Sequence, residues 1–398
     1  MRAEVPHVPL ADICDPKRPI SYGILKVGSF VDGVVPVIRG GDIRNNRIEV
    51  DGEKKVGREI SDLFKRTLLR GGEIVMNLIA EPGHAAVVPT GMAGANVSRD
   101  VAVIALADGV DPIYVNYFLQ SPAAVRWLTA RLQGSVTGKI NLGVLRELPV
   151  PMPPIERQRR IAAILGAFDN KIELNRRLSA TLDATARAMF RSWFVDEVPA
   201  GGTIRGLDEI AMFLNGLALQ KFPPTTHGSL PVIKIAQLRS GDTRGADLAS
   251  ADLPADYVVR DGDVLFSWSG SLECVLWAGG KGALNQHLFK VTSADFPKWF
   301  YYLWIREHLA DFREIAAGKA TTMGHIQRHH LSQARVLVPE RAVLGAADRV
   351  LGPMIEQITL RRVEARTLAE IRDSLLPKLL SGDIRMNHTD QIVETASA

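Results

Sequence analysis

Apolar positions along the chain follow two periods, and each period is used twice. Ile161, Leu165, Phe168, Ile172, Asn175, Ser179, Leu182, Ala186, Met189 and Trp193 step by alternating four and three. That is the seam of a coiled coil, with polar interruptions at Asn175 and Ser179. Leu351, Met354, Ile358, Arg361, Ala365, Leu368, Leu375 and Leu379 repeat the register, with Arg361 at the position equivalent to Asn175. About 40 residues of helix extend roughly 60 Å at the α-helical rise. Neither stripe can remain in water, so the two helices are expected to bury each other. The polar seam positions would fix their register at some cost in stability.

Each helix follows a β-rich stretch, and the two stretches share an order. In the first half, 34–39, 73–78 and 101–106 read as short strands bounded by glycine or polar turns, followed by a helix pattern over 113–132. In the second half, 230–235, 261–266 and 287–291 read as strands, and an aromatic helix carries Trp299, Phe300, Tyr301, Tyr302, Leu303 and Trp304. Pro151-Met152-Pro153-Pro154 leads into the first long helix, and Leu337-Val338-Pro339 leads into the second. The expected class is therefore α+β, with two β-rich domains of shared fold, separated by a pair of long antiparallel helices and related by a pseudo-twofold internal repeat. The expected boundaries are 1–154 and 197–339 for the domains, 155–196 and 340–385 for the helices, and 386–398 for a flexible tail.

Composition narrows the function classes. With 398 residues the chain is too long for one ordinary core. It lacks any run of roughly 18 apolar residues that a membrane helix would need, and its start has no apolar core of a secretory signal. Cys14 and Cys274, one in each half, give neither a disulfide framework nor a metal knuckle. A cytoplasmic protein without membrane association is the expectation. The net charge of +4 permits nucleic acid as a partner without demanding it.

Catalytic motifs are missing where an enzyme would need them. Gly134-Ser135-Val136-Thr137-Gly138-Lys139-Ile140 has one residue too few between its glycines for a phosphate loop, and Ile140 replaces the magnesium-binding hydroxyl. His325 and His329 share a helical spacing but have no nearby carboxylate or cysteine, so capping or phosphate contact is expected before metal. No catalytic residue and no metal site are expected. Polar, glycine-bounded loops recur instead at matching places. Arg39, Arg44, Asn46, Arg99, Thr137, Lys139 and Asn141 are the candidate DNA contacts of the first half. Lys234, Gln237, Arg239, Asn285, Gln286, His287, Thr321, Thr322 and His325 are those of the second. Such side chains supply forked donors for guanine, paired amides for adenine and point charges for phosphate. Asn96 and Ser98 belong to the same polar segments.

Four strings carry a resemblance to a known family. The stretch 151–165, beginning Pro151-Met152-Pro153-Pro154-Ile155-Glu156-Arg157-Gln158, is followed by Asp169-Asn170-Lys171-Ile172-Glu173-Leu174-Asn175 and by Ala188-Met189-Phe190-Arg191-Ser192-Trp193-Phe194. Together they resemble the central conserved region of type I restriction-modification specificity subunits. Leu375-Leu376-Pro377-Lys378-Leu379-Leu380-Ser381-Gly382-Asp383 resembles that family's C-terminal signature. The resemblance implies a non-catalytic subunit whose two target recognition domains read the halves of a split, asymmetric sequence in double-stranded DNA. It implies docking of two modification (methyltransferase) subunits on the paired helices, and through them motor-nuclease restriction subunits. S-adenosylmethionine, ATP and magnesium would then sit on those partners and no cofactor on this chain. A methylation-only or other defence system without the motor-nuclease is the alternative. At 339–345 the second helix start lacks the Pro-Pro pair and the glutamine of the first, Pro153, Pro154 and Gln158, which implies weaker or slightly different docking of the second partner there.

Overall fold

The structure is a computed structural model and describes residues 5–25, 34–50, 54–79, 83–132, 138–197, 201–226, 228–318 and 324–384. Thr137, Thr321, Thr322, most of the 134–140 loop and the tail 386–398 lie outside the described residues. Contacts divide the chain into two compact units, Met1–Asn170 with Glu370–Ala398, and Lys171–Ala369. The divisions fall inside the two long helices, Ile155–Arg191 and Arg341–Ser381, so each unit holds one β-rich domain and a stretch of each helix.

In the first unit a four-stranded antiparallel sheet runs in the order Ser21–Tyr22, Val101–Ile104, Ile74–Asn77, Ala85–Val87. Beside it Val35–Ile38 pairs antiparallel with Lys55–Val56 and parallel with Asn96–Val97. A two-stranded ladder, His7–Pro9 with Pro149–Pro151, joins the domain's two ends. Burial explains why short strands suffice. Val101, Ala102 and Ile104 are fully covered, as are Ile74, Val75 and Met76. Strands covered on both faces read as continuous apolar runs, not as alternation.

The second unit repeats this wiring. Met212–Asn215, Leu288–Thr292, Val264–Ser267 and Cys274–Leu276 form the four-stranded sheet. Ser229–Ile233 pairs antiparallel with Leu248–Ser250 and parallel with Gly282–Leu284, and Thr203–Gly206 pairs with Arg335–Val338. A short strand, Val258–Val259, is added on the far side of Gly282–Leu284. The correspondence reaches single atoms. A Cβ on Gly23 would lie 1.8 Å from the Val97 carbonyl oxygen, and one on Gly216 would lie 2.6 Å from that of Leu284, the equivalent residue. Both glycines permit the same close backbone crossing, Ile24 bridging Ser98 and Leu217 bridging Asn285.

The long helices run antiparallel where each unit shows them together. In the first, Arg157 reaches the Leu379 carbonyl (3.4 Å), whereas Asp169, further along, meets Arg372, earlier in its own helix. In the second unit Ala186, Phe190, Phe194, Ala347, Leu351, Ile355 and Ile358 share one core with Trp299, Phe300, Tyr302 and Trp304. Phe190 and Phe194 stand 5.2 Å apart, and Phe190 meets Trp304 edge-on at 5.0 Å. Burying each such side chain contributes about 1.5–3 kcal/mol. The helices thus bury one another and their own domain at once, which needs a stripe wider than a two-position seam.

That double burial shifts the seam. Ile161, Leu165, Phe168, Ile172, Leu351, Ile358 and Leu379 are buried, but Leu182, Met189, Met354, Leu368 and Leu375 are only half-buried. Phe190, Ile355 and Leu376, one position from half-buried seam residues, are the covered ones. The helix expected over 113–132 is two helices, Pro112–Gln120 and Pro122–Ala130. Ser121 is extended (φ −65°, ψ 150°), as a residue before proline prefers, and its hydroxyl caps the second helix at the Ala124 amide. Lys298–Glu307 and Leu309–Ala317 form the corresponding pair in the second unit. Ile235, expected at a strand's end, instead begins the helix Ile235–Ser240.

Candidate nucleic-acid interface

Each β-rich domain gathers four segments at one rim. In the first unit the turn Gly40–Asp42 follows strand Val35–Ile38, and Asp42 caps it by accepting from the Arg39 amide (2.8 Å). The Gly40 amide donates to Asp100 (3.0 Å), and the space a Gly40 Cβ would fill is already taken by Asn77 Oδ1. The Leu78 amide donates to the Asp100 carbonyl (2.8 Å), and Ile79 bridges Lys139. The rim therefore carries Arg39, Arg99 and Lys139 together, with Asn141 next to it capping the helix Leu142–Arg146 through the Gly143 amide (2.8 Å). Arg99 is exposed, and Lys139 Nζ lies 5.2 Å from the centre of the half-exposed Tyr22 ring.

The second unit's rim uses the same connections with other side chains. Lys234 stands where Arg39 stood, its amide donating to Gln237 (3.2 Å), and its ammonium pairs with Asp247. Arg239 is exposed on the following helix. Asn285, Gln286 and His287 replace Ser98, Arg99 and Asp100 at the crossover, Ser269 replaces Ile79, and His325 replaces Lys139 in the bridge. Trp268, which stands where Leu78 stood, had no place among the sequence candidates. It lies among them, 5.7 Å from the His287 ring and 6.3 Å from His325.

Not every candidate side chain faces solvent. Asn285 is 7% exposed and its Oδ1 accepts from the His287 amide (3.2 Å). Asn46 belongs to the Arg44–Arg47 hairpin, which has no counterpart among the described residues of the second unit. Asn45 and Asn46 take the left-handed backbone (φ 50° and 61°) that a tight two-residue turn demands. The Asn46 amide donates to Asp169 (2.7 Å) on the first long helix, so the hairpin is tied down while Arg44 stays exposed. Asn96 is fully buried, holding Thr67 (2.7 Å) and Ser61 (3.0 Å), and Ser98 is 4% exposed. His330 is a capping residue, its Nδ1 accepting from the Gln327 amide (2.9 Å).

The chain's other ionisable features serve structure. Burial pushes the Cys14 and Cys274 thiols up to about 12, far from a reactive thiolate. Burial also raises the Tyr117 hydroxyl, and the Asp169 carboxylate that accepts from it adds to the effect. A groove of about 710 Å³ in the second unit is lined by Asp208, Glu209, Met212, Asp295 and Arg328 among others. It lies at the Met212 end of a strand whose Asn215 end carries the rim, and its carboxylates would repel phosphate. Among the described residues no group of three metal-ligating side chains comes together. No helix among them is long and apolar enough to cross a membrane.

Residues 8–184 match the family model of the type I restriction modification DNA specificity domain. Over that stretch the chain is similar to type I restriction-modification specificity subunits. It is 22% identical, over 91% of its length and 89% of the relative's, to the type I restriction enzyme MjaIX specificity subunit of Methanocaldococcus jannaschii. It is 20% identical, over 88% of its length and 94% of the relative's, to the HindI specificity subunit of Haemophilus influenzae. A crystal structure of the S subunit of a type I restriction-modification system from M. genitalium shares its fold, with a TM-score of 0.53 at 16% identity, covering 95% of this chain and 96% of that one. The matched model is that of a DNA specificity domain. The polar rims are accordingly the places to look for DNA contact.

Gln158 changes the reading of the second helix start. It is 2% exposed, donates to the Pro153 carbonyl (2.8 Å) and accepts from the Asp111 amide (3.1 Å). Its counterpart Leu344 packs on the second unit's core. The exchange therefore replaces an internal polar tie by an apolar one, and Gln158 offers no side chain to a docking partner.

Proposed function

We propose that this chain is a type I restriction-modification specificity subunit that reads a split, asymmetric target in double-stranded DNA, one block with each rim, and docks two modification subunits on its long helices. The carrying observation is that two rims share their backbone connections and differ in side chains: Arg39, Arg99 and Lys139 in one, Lys234, Gln286 and His325 in the other. Equal frames with unequal donors suit two unlike half-sequences. Docking of like partners is supported by Leu174 and Leu360, which occupy equivalent repeat positions and are 56% and 52% exposed despite being large and apolar. The methyl donor, ATP and magnesium would be held by the partners, and restriction subunits would join through the modification subunits.

The test is selection from random-sequence DNA by the full chain in complex with its modification subunit. Two specific blocks with a fixed gap of arbitrary sequence are expected, and one continuous block would overturn the split-target reading. Leu174→Glu and Leu360→Glu should each lower the number of modification subunits bound per chain, measured by native mass spectrometry. Unchanged stoichiometry in the double variant would place docking elsewhere.

A further inference from the structure

Trp268 stands in the second unit's rim where the first unit has Leu78. Its indole N–H donates to Asn215 Oδ1 (2.9 Å) and to the Gln286 carbonyl (3.1 Å), and its ring packs 6.3 Å from Phe289. The backbone beside it is held as firmly: its amide donates to the His287 carbonyl (3.3 Å), and its carbonyl accepts from the Ile326 amide (2.9 Å). The side chain is thus fixed from several elements, yet remains half-exposed. With the N–H already engaged, what the half-buried ring leaves open to solvent is apolar surface. His287 beside it is oriented by Ser269 Oγ, 3.0 Å from Nδ1, and its Nε2 lies 3.4 Å from the Gln286 amide nitrogen. A rigid apolar plate next to a positioned carboxamide matches one chemistry in the major groove. Apolar surface covers the thymine 5-methyl group, and a glutamine amide pairs with the N6/N7 edge of adenine.

Resting on the function proposed above, we infer that Trp268 and Gln286 are the specificity-determining pair of the second unit, reading one A·T pair or two adjacent ones. The test uses the complex with the modification subunit and the target selected by the wild type. Trp268→Leu, which installs the first unit's residue, and Gln286→Leu should each leave one block and the gap intact while one or two A·T positions of the other block become degenerate. Replacing the thymine at that position by deoxyuridine should weaken wild-type binding about fivefold and leave Trp268→Leu unaffected. Unchanged selected sequences in both variants would overturn the inference. Should Trp268→Leu unfold, judged by melting temperature, deoxyuridine scanning of the wild type decides alone, and a block with no responding thymine overturns it. A single continuous block would defeat the split-target reading, yet a thymine answered by Trp268 within that block would still support this pair.

Discussion

Asp169 collects three donors from three parts of the first unit: Asn46 on the hairpin, the Tyr117 hydroxyl and the Arg372 guanidinium. Both members of the ion pair are mostly covered, at 13% and 21% side-chain exposure. Removing one partner of such a pair leaves a charge uncompensated, so Asp169→Ala should destabilise the first unit by about 2–3 kcal/mol in urea titrations. In the second unit, Asp261 makes a two-pronged bond to Arg366 (2.8 and 2.9 Å) and accepts from the Gly280 amide (2.8 Å). Burial pushes this carboxyl up, but the Arg366 and Gly280 bonds outweigh it and hold it below the ordinary carboxylate value. A depressed folded value means that its stabilisation is complete above the unfolded value and vanishes as pH falls through the folded one. Asp261→Asn should therefore cost about 1 kcal/mol at neutral pH and nothing at strongly acidic pH, measured by urea titration at each pH. An equal loss at both would show that the charge contributes nothing. Cys14 and Cys274 supply a separate check. Buried thiols near 12 should ignore Ellman's reagent in the folded chain and both react in guanidinium.

At the level of elements, the hydrophobic pattern carried the repeat, the long helices and the strand order, because each rests on a period that burial enforces along many residues. Single positions within those periods were less legible. Ile355 and Leu376 are buried where Met354 and Leu375 were expected, since each helix faces a partner helix and a β-rich domain together, and a linear seam encodes only the first. The break at Ser121 was written in Pro122 but hidden by an apolar stripe that runs through both short helices. Asn96 shows the limit for polar residues. Its amide looks like a surface contact in sequence, and only the fold reveals Thr67, Ser61 and the Phe64 carbonyl waiting for it. Trp268 failed in the other direction, because an isolated tryptophan after a strand reads as core. Packing itself is testable at this scale: Phe190→Ala should cost about 3–5 kcal/mol in the second unit, a large aromatic lost from a closed cluster. A loss below about 1 kcal/mol would mean that the aromatic cluster relaxes into the space.

For the whole molecule, the question is what duplicated domains gain from helices that pass through both units. Two rims on a flexible tether would bind two blocks at any spacing the tether allowed, and the gap in the target would carry no information. Helical connections change that, because a helix gains length in fixed steps of 1.5 Å per residue. Inserting one heptad at facing positions of both long helices keeps the apolar register and adds about 10 Å to each. DNA advances about 3.4 Å per base pair along a strand, so the selected gap should lengthen by about three base pairs while both blocks keep their sequence. The same heptad inserted into one helix alone breaks the pairing register and should abolish selective binding. If the doubly lengthened chain still selected the original gap, the helices would not set the spacing, and the two rims would have to be held at their distance by the modification subunits.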